Sequence, residues 1–462
     1  MDLETASATA TLGDWVAGLR WEAVPGRVQQ RLRLVLLDVL AVACLGATDS
    51  AQQRFVTAWA PGAGPSPVFG AGAHANVEAA AWLNATALVR LELDEGNKYA
   101  KGHPAAHGFP AVLALAAAQQ VDSADLLISL LAAYEVAARY GRATRLRSGM
   151  HPHGSWGVVG AAAGCARLLR LDGEATAGAI DAATGMPIAG HFASALDGNR
   201  VRDAWMGASN VSGLNAARLA AAGLASNTGT AALTLGELLG AFDPQETTSG
   251  LGTRWDIEHG YFKRHAACSF THPAADAVLA LRESGRLPEP TRIDAITVDT
   301  HSLAVGLDRP TWDNRLSAMF SIPFVVAAAL VHGTLGPEAS DDDALQDPTV
   351  RALAQRVHVR LAPDLDARLP AERPARVTIT AGTEHVTEER PNPVGDSDFH
   401  PFDEPGLRAM LAELFGGTAP VDRVARAVDG LFAGQAASVL DVLAAPLDTD
   451  LNAVAPPTSS SS

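Results

Sequence analysis

The sequence predicts a mainly α-helical protein with a smaller α+β domain inserted between two helical parts. Alanine-rich runs recur along the chain and aromatic residues make up only 5% of it, which favours closely packed helices over a β-sandwich. Helical periodicity extends through Phe270 without a convincing strand, whereas segments between residues 296 and 386 alternate with period two. The helical pattern returns at about Pro405, so both chain ends are expected to form one large all-α domain.

The length of the chain sets the expected number of domains. At 462 residues it exceeds one ordinary core, and a prior of about 150 residues per domain predicts two or three. We assign residues 1–268 to the all-α domain, 269–395 to the α+β domain, and 396–455 to helices that return to the all-α domain. Residues 456–462 are a low-complexity, serine-rich end that is expected to be disordered.

The helices of the first part follow from apolar spacing, caps and small residues. Asp122 and Ser123 are suitable N-cap residues for one of them. Gly157, Gly160 and Gly164 give another a face so small that a neighbouring helix can approach closely. The predicted helices of this part cover residues 27–46, 124–141, 173–185, 208–223 and 230–242, together with the segment that follows residue 157.

The second part combines strands and helices. Period-two segments near Ile296, from Val357, and over 376–386 around an Ala-Gly turn predict a sheet, which we expect to be antiparallel. Helices are predicted at 272–284 and 317–333 among these strands, and at 404–415, 422–432 and 436–443 after them.

Charge and composition exclude several function classes. A formal net charge of −16 argues against a nucleic-acid or anionic-membrane partner, and an anionic substrate would need a local basic pocket. The three cysteines are widely spaced, which indicates neither a disulfide framework nor a cysteine metal site. The N-terminus lacks the features of a signal peptide, and the longest apolar run, near Ile322, is about half a membrane span. We therefore expect a cytoplasmic protein.

The most polar stretch between buried helices is residues 92–110. It contains three carboxylates, two lysines and two histidines: Glu92, Asp94, Glu95, Lys98, Lys101, His103 and His107. An unpaired buried ion costs several kcal/mol, so such a cluster is either a satisfied ion-pair network or a functional site. His103 and His107 have the spacing of two metal ligands on a helix, but Pro104 and Gly108 make a continuous helix doubtful and no third ligand is placed by spacing. We predict no metal and an acid–base role for His103.

Three further segments carry candidate functional residues. The H-P-H-G sequence places His151 and His153 at the mouth of a helix, where backbone N–H groups can bind an anion. The segment 261–273, with Lys263, Cys268 and His272, lies at the predicted domain junction, a favoured ligand position. The run R-V-R-D-A-W-M-G, which contains Arg202, is either a helix-start ion pair or a carboxylate clamp. Dinucleotide, P-loop and G-x-S-x-G motifs are absent from the sequence.

Taken in order, these motifs resemble the MmgE/PrpD family. The match rests on L-E-L-D-E with H-P-A-A-H-G-F-P-A-V-L-A-L-A, Y-E-V-A-A-R, H-P-H-G-S-W-G-V-V-G-A-A-A, V-R-D-A-W-M-G-A-S, F-K-R-H-A-A-C-S-F-T-H-P-A-A-D-A and F-S-I-P-F-V-V-A-A-A-L-V-H-G. The resemblance implies a large all-α domain built from both chain ends, an α+β lid domain, an active site between them and a homodimer. It also implies that no cofactor is needed.

The resemblance carries roles to individual residues. It places the catalytic group on Asp94, His103, His151 and Lys263, and we expect His103 to be the base, His151 its acid partner and Asp94 an orienting group. Lys263 and Arg202 would stabilise negative charge. The expected substrate-binding residues are Arg202, Lys98, Lys101, Cys268 and His272.

Departures from the family pattern leave the substrate open. The segment G-N-K-Y-A-K-G separates Asp94 from His103, His265 and Ala266 replace an aromatic residue and proline, and Arg202 stands at a lysine position of the decarboxylase branch. We predict a cofactor-independent lyase for a small di- or tricarboxylate, foremost a 2-methylcitrate dehydratase-like enzyme. The alternatives are a cis-aconitate-type decarboxylase, an epimerase of an imino- or amino-dicarboxylate, a non-catalytic binding protein and a metal-dependent hydrolase.

Overall fold

The computed structural model describes residues 2–447 of the chain. The expected disordered end, 456–462, and the last residues of the predicted segment 396–455 lie outside the described residues. Across the described part the protein is mainly helical, as the sequence predicts.

Eleven α-helices occupy the first 270 described residues. They are α1 (Leu3–Gly18), α2 (Gly26–Gly46), α3 (Ser50–Trp59), α4 (Val77–Leu88), α5 (Pro104–Gln119), α6 (Ser123–Ala143), α7 (Val158–Leu168), α8 (Gly173–Thr184), α9 (Ala193–Leu196), α10 (Val201–Ala221) and α11 (Pro244–Thr248). The side chain of Asp122 accepts a hydrogen bond from the Asp125 N–H, 2.8 Å away, which confirms the predicted cap of α6.

Helices α4, α5, α6, α7 and α10 pack around one another and form the centre of this part. The small face of α7 permits the close approach, because a methyl group added at Gly160 would lie 2.7 Å from the Ala133 carbonyl oxygen of α6. Helix α10 begins at Val201, seven residues before the predicted start. The predicted helix 230–242 is instead a π-helix, Ala232–Leu238, followed by a short strand.

Three short strand pairs correct the expectation that the first part is free of strands. They are β1 (Ser66–Val68) with β2 (Ala73–Ala75), β3 (Gly96–Asn97) with β6 (Gly260–Tyr261), and β4 (Thr144–Leu146) with β5 (Gly240–Phe242). Each strand has only two or three residues, too few to produce a period-two pattern. The second and third pairs hold the polar segments that line the candidate site.

The second part is built on a four-stranded sheet. Its strands β7 (Ala295–Thr300), β8 (Val357–Leu361), β9 (Ala375–Ala381) and β10 (Glu384–Arg390) lie in the order β10-β9-β7-β8. The pairs β10–β9 and β9–β7 are antiparallel, but β7 and β8 are parallel, with Ile296 opposite Val357. The expectation of a purely antiparallel sheet is therefore wrong for one pair, because the chain between β7 and β8 crosses over through helices.

The helices of this part are α12 (His272–Glu283), α13 (Arg315–Met319), α14 (Ile322–His332), α15 (Pro348–Ala354) and α16 (Pro363–Asp366). Helix α12 packs on β9 and β10. The predicted helix 317–333 is broken into α13 and α14, since the Ser321 hydroxyl caps the Phe324 N–H at 3.0 Å and starts a new helix.

The last described elements return to the first part of the molecule. Helices α17 (Glu404–Phe415) and α18 (Ala419–Phe432) both pack on α2, and a 3₁₀ segment, Ala437–Leu443, contacts α5 and α18. Among the residues described, no single helix is both long and apolar enough to cross a membrane; only the bent pair α2 and α3 satisfies length and composition together.

Candidate active site

A cavity of about 610 Å³ lies between the two parts of the molecule. The helical part contributes residues of the segments 92–103, 144–156 and 192–202, and the rest of the wall comes from 261–270, 302–307, 320 and 369–373. Seven of the nine residues with predicted catalytic or binding roles in the site line it: His103, His151, Lys263, Arg202, Lys98, Lys101 and Cys268.

The pairing of β3 with β6 places the predicted lysine beside the predicted aspartate. In this antiparallel pair Gly96 lies opposite Tyr261, so Asp94, two residues before Gly96, faces Lys263, two residues after Tyr261. The ammonium nitrogen of Lys263 is 3.2 Å from Asp94 Oδ1 and 3.4 Å from Glu92 Oε2. All three side chains are almost completely buried, and the ion pair therefore experiences a low local dielectric.

His103 is held in one tautomer. It is the N-cap residue of α5, and its Nδ1 lies 2.7 Å from the Glu95 carbonyl oxygen and 3.0 Å from Asp94 Oδ2. Because both neighbours are hydrogen-bond acceptors, Nδ1 carries the proton and Nε2 keeps its lone pair. Burial alone would raise the pKa of Asp94, but His103 and Lys263 hold it well below its usual range. An ionised Asp94 thus orients His103.

His151 is held in the opposite tautomer. Its Nδ1 accepts a hydrogen bond from the backbone N–H of His153, 3.1 Å away, so the proton lies on Nε2. The ring stacks on Phe192, with centroids 5.3 Å apart. Burial, together with the nearby His103, lowers the pKa of His151 to about 3. His151 is therefore a neutral hydrogen-bond donor at neutral pH.

His107 serves the structure of the site and does not line the cavity. Its Nδ1 donates to the His103 carbonyl oxygen at 2.9 Å, and its Nε2 accepts from the Gly154 N–H at 3.1 Å. Burial lowers the pKa of His107 to about 4. Contrary to expectation, the helix is continuous from Pro104, since proline fits the first helical position, where no N–H is needed. His107 thus ties α5 to the H-P-H-G loop.

His153 is a site residue that the residue-by-residue assignment missed. It is fully buried, its ring centroid lies 4.4 Å from that of His151 and 5.1 Å from that of His103, and its Nε2 is 4.0 Å from Asp94 Oδ2. Neither ring nitrogen has a hydrogen-bond partner among the described residues. The signal was present in the sequence, as the second histidine of H-P-H-G.

Asp94, His103 and His153 could also be considered as metal ligands. Each offers one ligand atom, and these atoms lie within 4.8 Å of one another. The His103 ring donates from Nδ1 to the Glu95 carbonyl oxygen and faces Asp94 Oδ2 at 3.0 Å, so a metal ion on that nitrogen would displace this hydrogen bond. The donor set is therefore better suited to proton transfer than to a metal bound through Nδ1.

Arg202 is an ion-pair residue at the start of α10. Its guanidinium contacts Glu92, lies 2.8 Å from Asp203 Oδ1 and donates to the Val89 carbonyl oxygen at 2.9 Å. This arrangement agrees with the helix-start ion pair and leaves only Nε without a partner among the described residues. Glu92, in turn, is shared between Arg202 and Lys263.

The polar groups of two further predicted binding residues, Lys98 and His272, are already bonded to other parts of the protein. Lys98 is buried and contacts Asp398, Asp396 at 3.1 Å and the Ala371 carbonyl oxygen at 3.0 Å, so its charge is already paired. His272 is a correction: it does not line the cavity, and its Nε2 donates to the Ala267 carbonyl oxygen at 3.0 Å.

Cys268 and Lys101 do face the cavity. Burial raises the pKa of the Cys268 thiol, which does not suit a nucleophile. Lys101 donates from its ammonium group to the Thr144 carbonyl oxygen at 2.9 Å and remains partly exposed.

The fold and the site together define a class: a mainly helical protein with a buried histidine and carboxylate cluster in a cavity between its two parts. The chain matches the family models of the MmgE/PrpD N-terminal domain over residues 10–252 and the MmgE/PrpD C-terminal domain over residues 265–429. It therefore belongs to the MmgE/PrpD family, which confirms the resemblance seen in its motifs.

Several curated proteins are similar along most of their length. Cis-aconitate decarboxylase of Aspergillus terreus is 25% identical over 430 residues, covering 84% of this chain and 86% of that protein. Cis-aconitate decarboxylase of Mus musculus is 26% identical over 394 residues, covering 78% and 76%. Cis-aconitate decarboxylase-like protein oryM of Aspergillus oryzae is 26% identical over 381 residues, covering 73% and 77%.

Proposed function

We propose that this protein is a cofactor-independent lyase for a small polycarboxylate, acting by proton transfer at a carbon next to a carboxylate. The observation that carries the proposal is the pair of fixed, opposite tautomers in one cavity. His103 presents a basic Nε2, and His151 is left with a protonated Nε2. A positioned base and a positioned donor are what such proton transfer needs.

The proposed reaction is decarboxylation of a cis-aconitate-like acid. The similarity to cis-aconitate decarboxylases over 73–84% of the chain supports it. The bond to the departing carboxylate breaks as carbon dioxide leaves, and its electron pair stays on the substrate next to a remaining carboxyl group. His103 rests with a free lone pair on Nε2, so this nitrogen first takes a proton from solvent; it then delivers that proton to carbon and returns to its neutral form beside Asp94. The His151 donor stabilises the enolate-like charge that forms between these two steps.

Dehydration of a 2-methylcitrate-like hydroxy acid is the second candidate, because the neutral tautomer of His103 is also a competent base. Nε2 would remove the proton next to the carboxylate and return it to the departing hydroxide as water. The buried His151, neutral at neutral pH, donates a hydrogen bond in this reaction and does not give up its only proton. The predicted role of His151 as the acid that transfers a proton is therefore replaced by the role of a hydrogen-bond donor.

Proton NMR in deuterium oxide separates these reactions. Purified protein is incubated with cis-aconitate, citrate, 2-methylcitrate and an aspartate-derived imino acid, and products are followed with time. Loss of carbon dioxide supports the decarboxylase, and loss of water supports the dehydratase. Deuterium exchange without loss of carbon dioxide or water would indicate an epimerase instead of a lyase. No change in any acid would overturn the proposal.

A further inference from the structure

The positive side chains that line the cavity fall into two groups. Four are paired with carboxylates: Lys263 with Asp94 and Glu92, Arg202 with Glu92 and Asp203, Lys98 with Asp396 and Asp398, and Arg373 with Asp396. The other three are Lys101, Arg145 and Arg147. Among the described residues, none of these three has a carboxylate oxygen within 4.0 Å.

The paired group leaves no excess positive charge on the inner wall. Its four cations contact five carboxylates in total, as given by the same ion pairs. A substrate with two or three carboxylates is repelled by the net charge of the chain, −16, and needs unpaired cations at its site. The inner wall supplies hydrogen-bond donors for it but no spare positive charge.

The three unpaired residues are exposed members of the cavity wall. Arg145 lies in β4 and Arg147 two residues further on, so the two point to the same face of this extended segment. Arg147 and Lys101 each donate to a backbone carbonyl, of Glu237 and Thr144 respectively, which accepts a hydrogen bond but cancels no charge. Burial and the adjacent charges of Arg142 and Arg145 lower the pKa of Lys101, as expected for a cation among cations.

This basic group is connected directly to both catalytic histidines. Lys101 precedes His103 by two residues and Arg147 precedes His151 by four. Each of these two segments therefore contributes a buried histidine and an exposed cation to the cavity wall. A chain of two residues spans at most about 7 Å, which keeps the Lys101 backbone close to His103. A single polycarboxylate can therefore contact a histidine and the basic group together.

We propose that Lys101, Arg145 and Arg147 form a basic rim that binds the substrate carboxylate remote from the reacting carbon. This inference rests on the proposed function and narrows its substrate class to acids with a carboxylate beyond the two at the reacting end. The rim supplies the positive charge that the inner wall lacks. It also selects tricarboxylates over acids that have no group to place there.

Calorimetric titration with tricarballylate, an unreactive saturated tricarboxylate, tests the rim. The test variant is R145Q/R147Q, and the matched control is R54Q/R426Q, which removes two exposed arginines that have no carboxylate partner among the described residues and do not line the cavity. The Kd should rise about 10-fold or more in the test variant, because hydrogen bonds between charged groups are lost, and should change less than about 2-fold in the control.

A second variant guards against a folding defect in the first. Lys101 has a left-handed backbone, φ 59°, which asparagine tolerates, so K101N removes the charge with little strain. It should also weaken tricarballylate binding. If the wild-type protein converts a polycarboxylate in the NMR experiment but both rim variants bind tricarballylate with the wild-type Kd, the rim proposal is wrong and the proposed function stands. If the wild-type protein neither binds tricarballylate nor converts any acid, the rim and the proposed function fail together.

Discussion

At the scale of single residues, the site depends on which groups carry protons. Asp94 and Glu95 are neighbours in sequence and both are buried, yet their environments differ. Asp94 is ionised beside His103 and Lys263, whereas burial raises the pKa of Glu95 to about 8. Glu95 therefore holds its proton at neutral pH while it accepts the Ala105 N–H at 2.6 Å.

This difference predicts opposite effects for two amide substitutions. Glu95→Gln replaces one neutral group by another of similar shape and should keep both kcat and Tm close to the wild-type values. Asp94→Asn removes the charge that orients His103 and should lower kcat about 10²-fold or more, with the fold intact by circular dichroism. Equal losses of kcat in the two variants would contradict the assigned protonation states.

The buried histidines also predict how stability depends on pH. Burial lowers the pKa of His107 to about 4 and that of His151 to about 3, below the value of about 6.5 in an unfolded chain. Between these values the unfolded chain binds more protons, so stability rises with pH through this window and falls on acidification. Each histidine should contribute about 1 kcal/mol per pH unit below pH 6.

Thermal unfolding of His107→Gln between pH 7 and pH 4.5 measures this effect. The variant is less stable at pH 7, because two hydrogen bonds are altered, but its Tm should fall less steeply with acid than that of the wild-type protein. Parallel Tm curves for the two proteins would show that His107 titrates normally in the fold.

At the scale of elements, the β3–β6 pair sets the geometry of the candidate site through only four residues. A methyl group added at Gly96 would lie 2.3 Å from the Tyr261 ring, which is held by the Ser269 hydroxyl at 3.1 Å and by Arg373 at 4.3 Å from its centroid. Gly96→Ala should therefore destabilise the protein by about 1–3 kcal/mol and shift Asp94 relative to Lys263, lowering kcat.

Gly62→Ala is the matched control, since an added methyl group there meets no atom within 4 Å. Chemical denaturation and steady-state kinetics measure both variants. Equal stability and equal kcat of Gly96→Ala and the control would contradict this role of the β3–β6 pair.

The elements also show how far the sequence could predict this structure. Long helices such as α2, α6 and α12 were predicted, because their apolar spacing and caps are local signals. The strands β3 to β6 were not, since two or three residues carry no periodicity and their pairing depends on distant segments. The parallel β7–β8 pair was missed for the same non-local reason.

The candidate site was predictable to a similar degree. Motif resemblance selected His103, His151, Asp94 and Lys263, and the fold brings these residues together. The remaining site residues depend on burial and side-chain pairing, which the local sequence does not show. His272 bonds to the Ala267 carbonyl oxygen and does not line the cavity, whereas His153 lines it. Nothing in the local sequence distinguishes a lysine paired with a carboxylate, such as Lys98, from an unpaired one, such as Lys101.

At the scale of the whole molecule, the homodimer implied by the family resemblance remains a prediction. Light scattering after size-exclusion chromatography should give about twice the chain mass of 47.8 kDa at micromolar concentration. A monomer mass that persists as the concentration is raised would contradict it.

The central claim is that His103 transfers the proton at the reacting carbon. The most direct measurement is deuterium incorporation into product, followed by NMR, for wild-type protein and His103→Asn on the acid that the wild type converts. In a decarboxylation the wild-type protein should place one deuterium on the reacting carbon, whereas a dehydration places none there; in either reaction the variant should be slower by about 10²–10⁴-fold with an unchanged Tm. Near-normal turnover and labelling by the folded variant would contradict the claim and move the proton transfer to another residue.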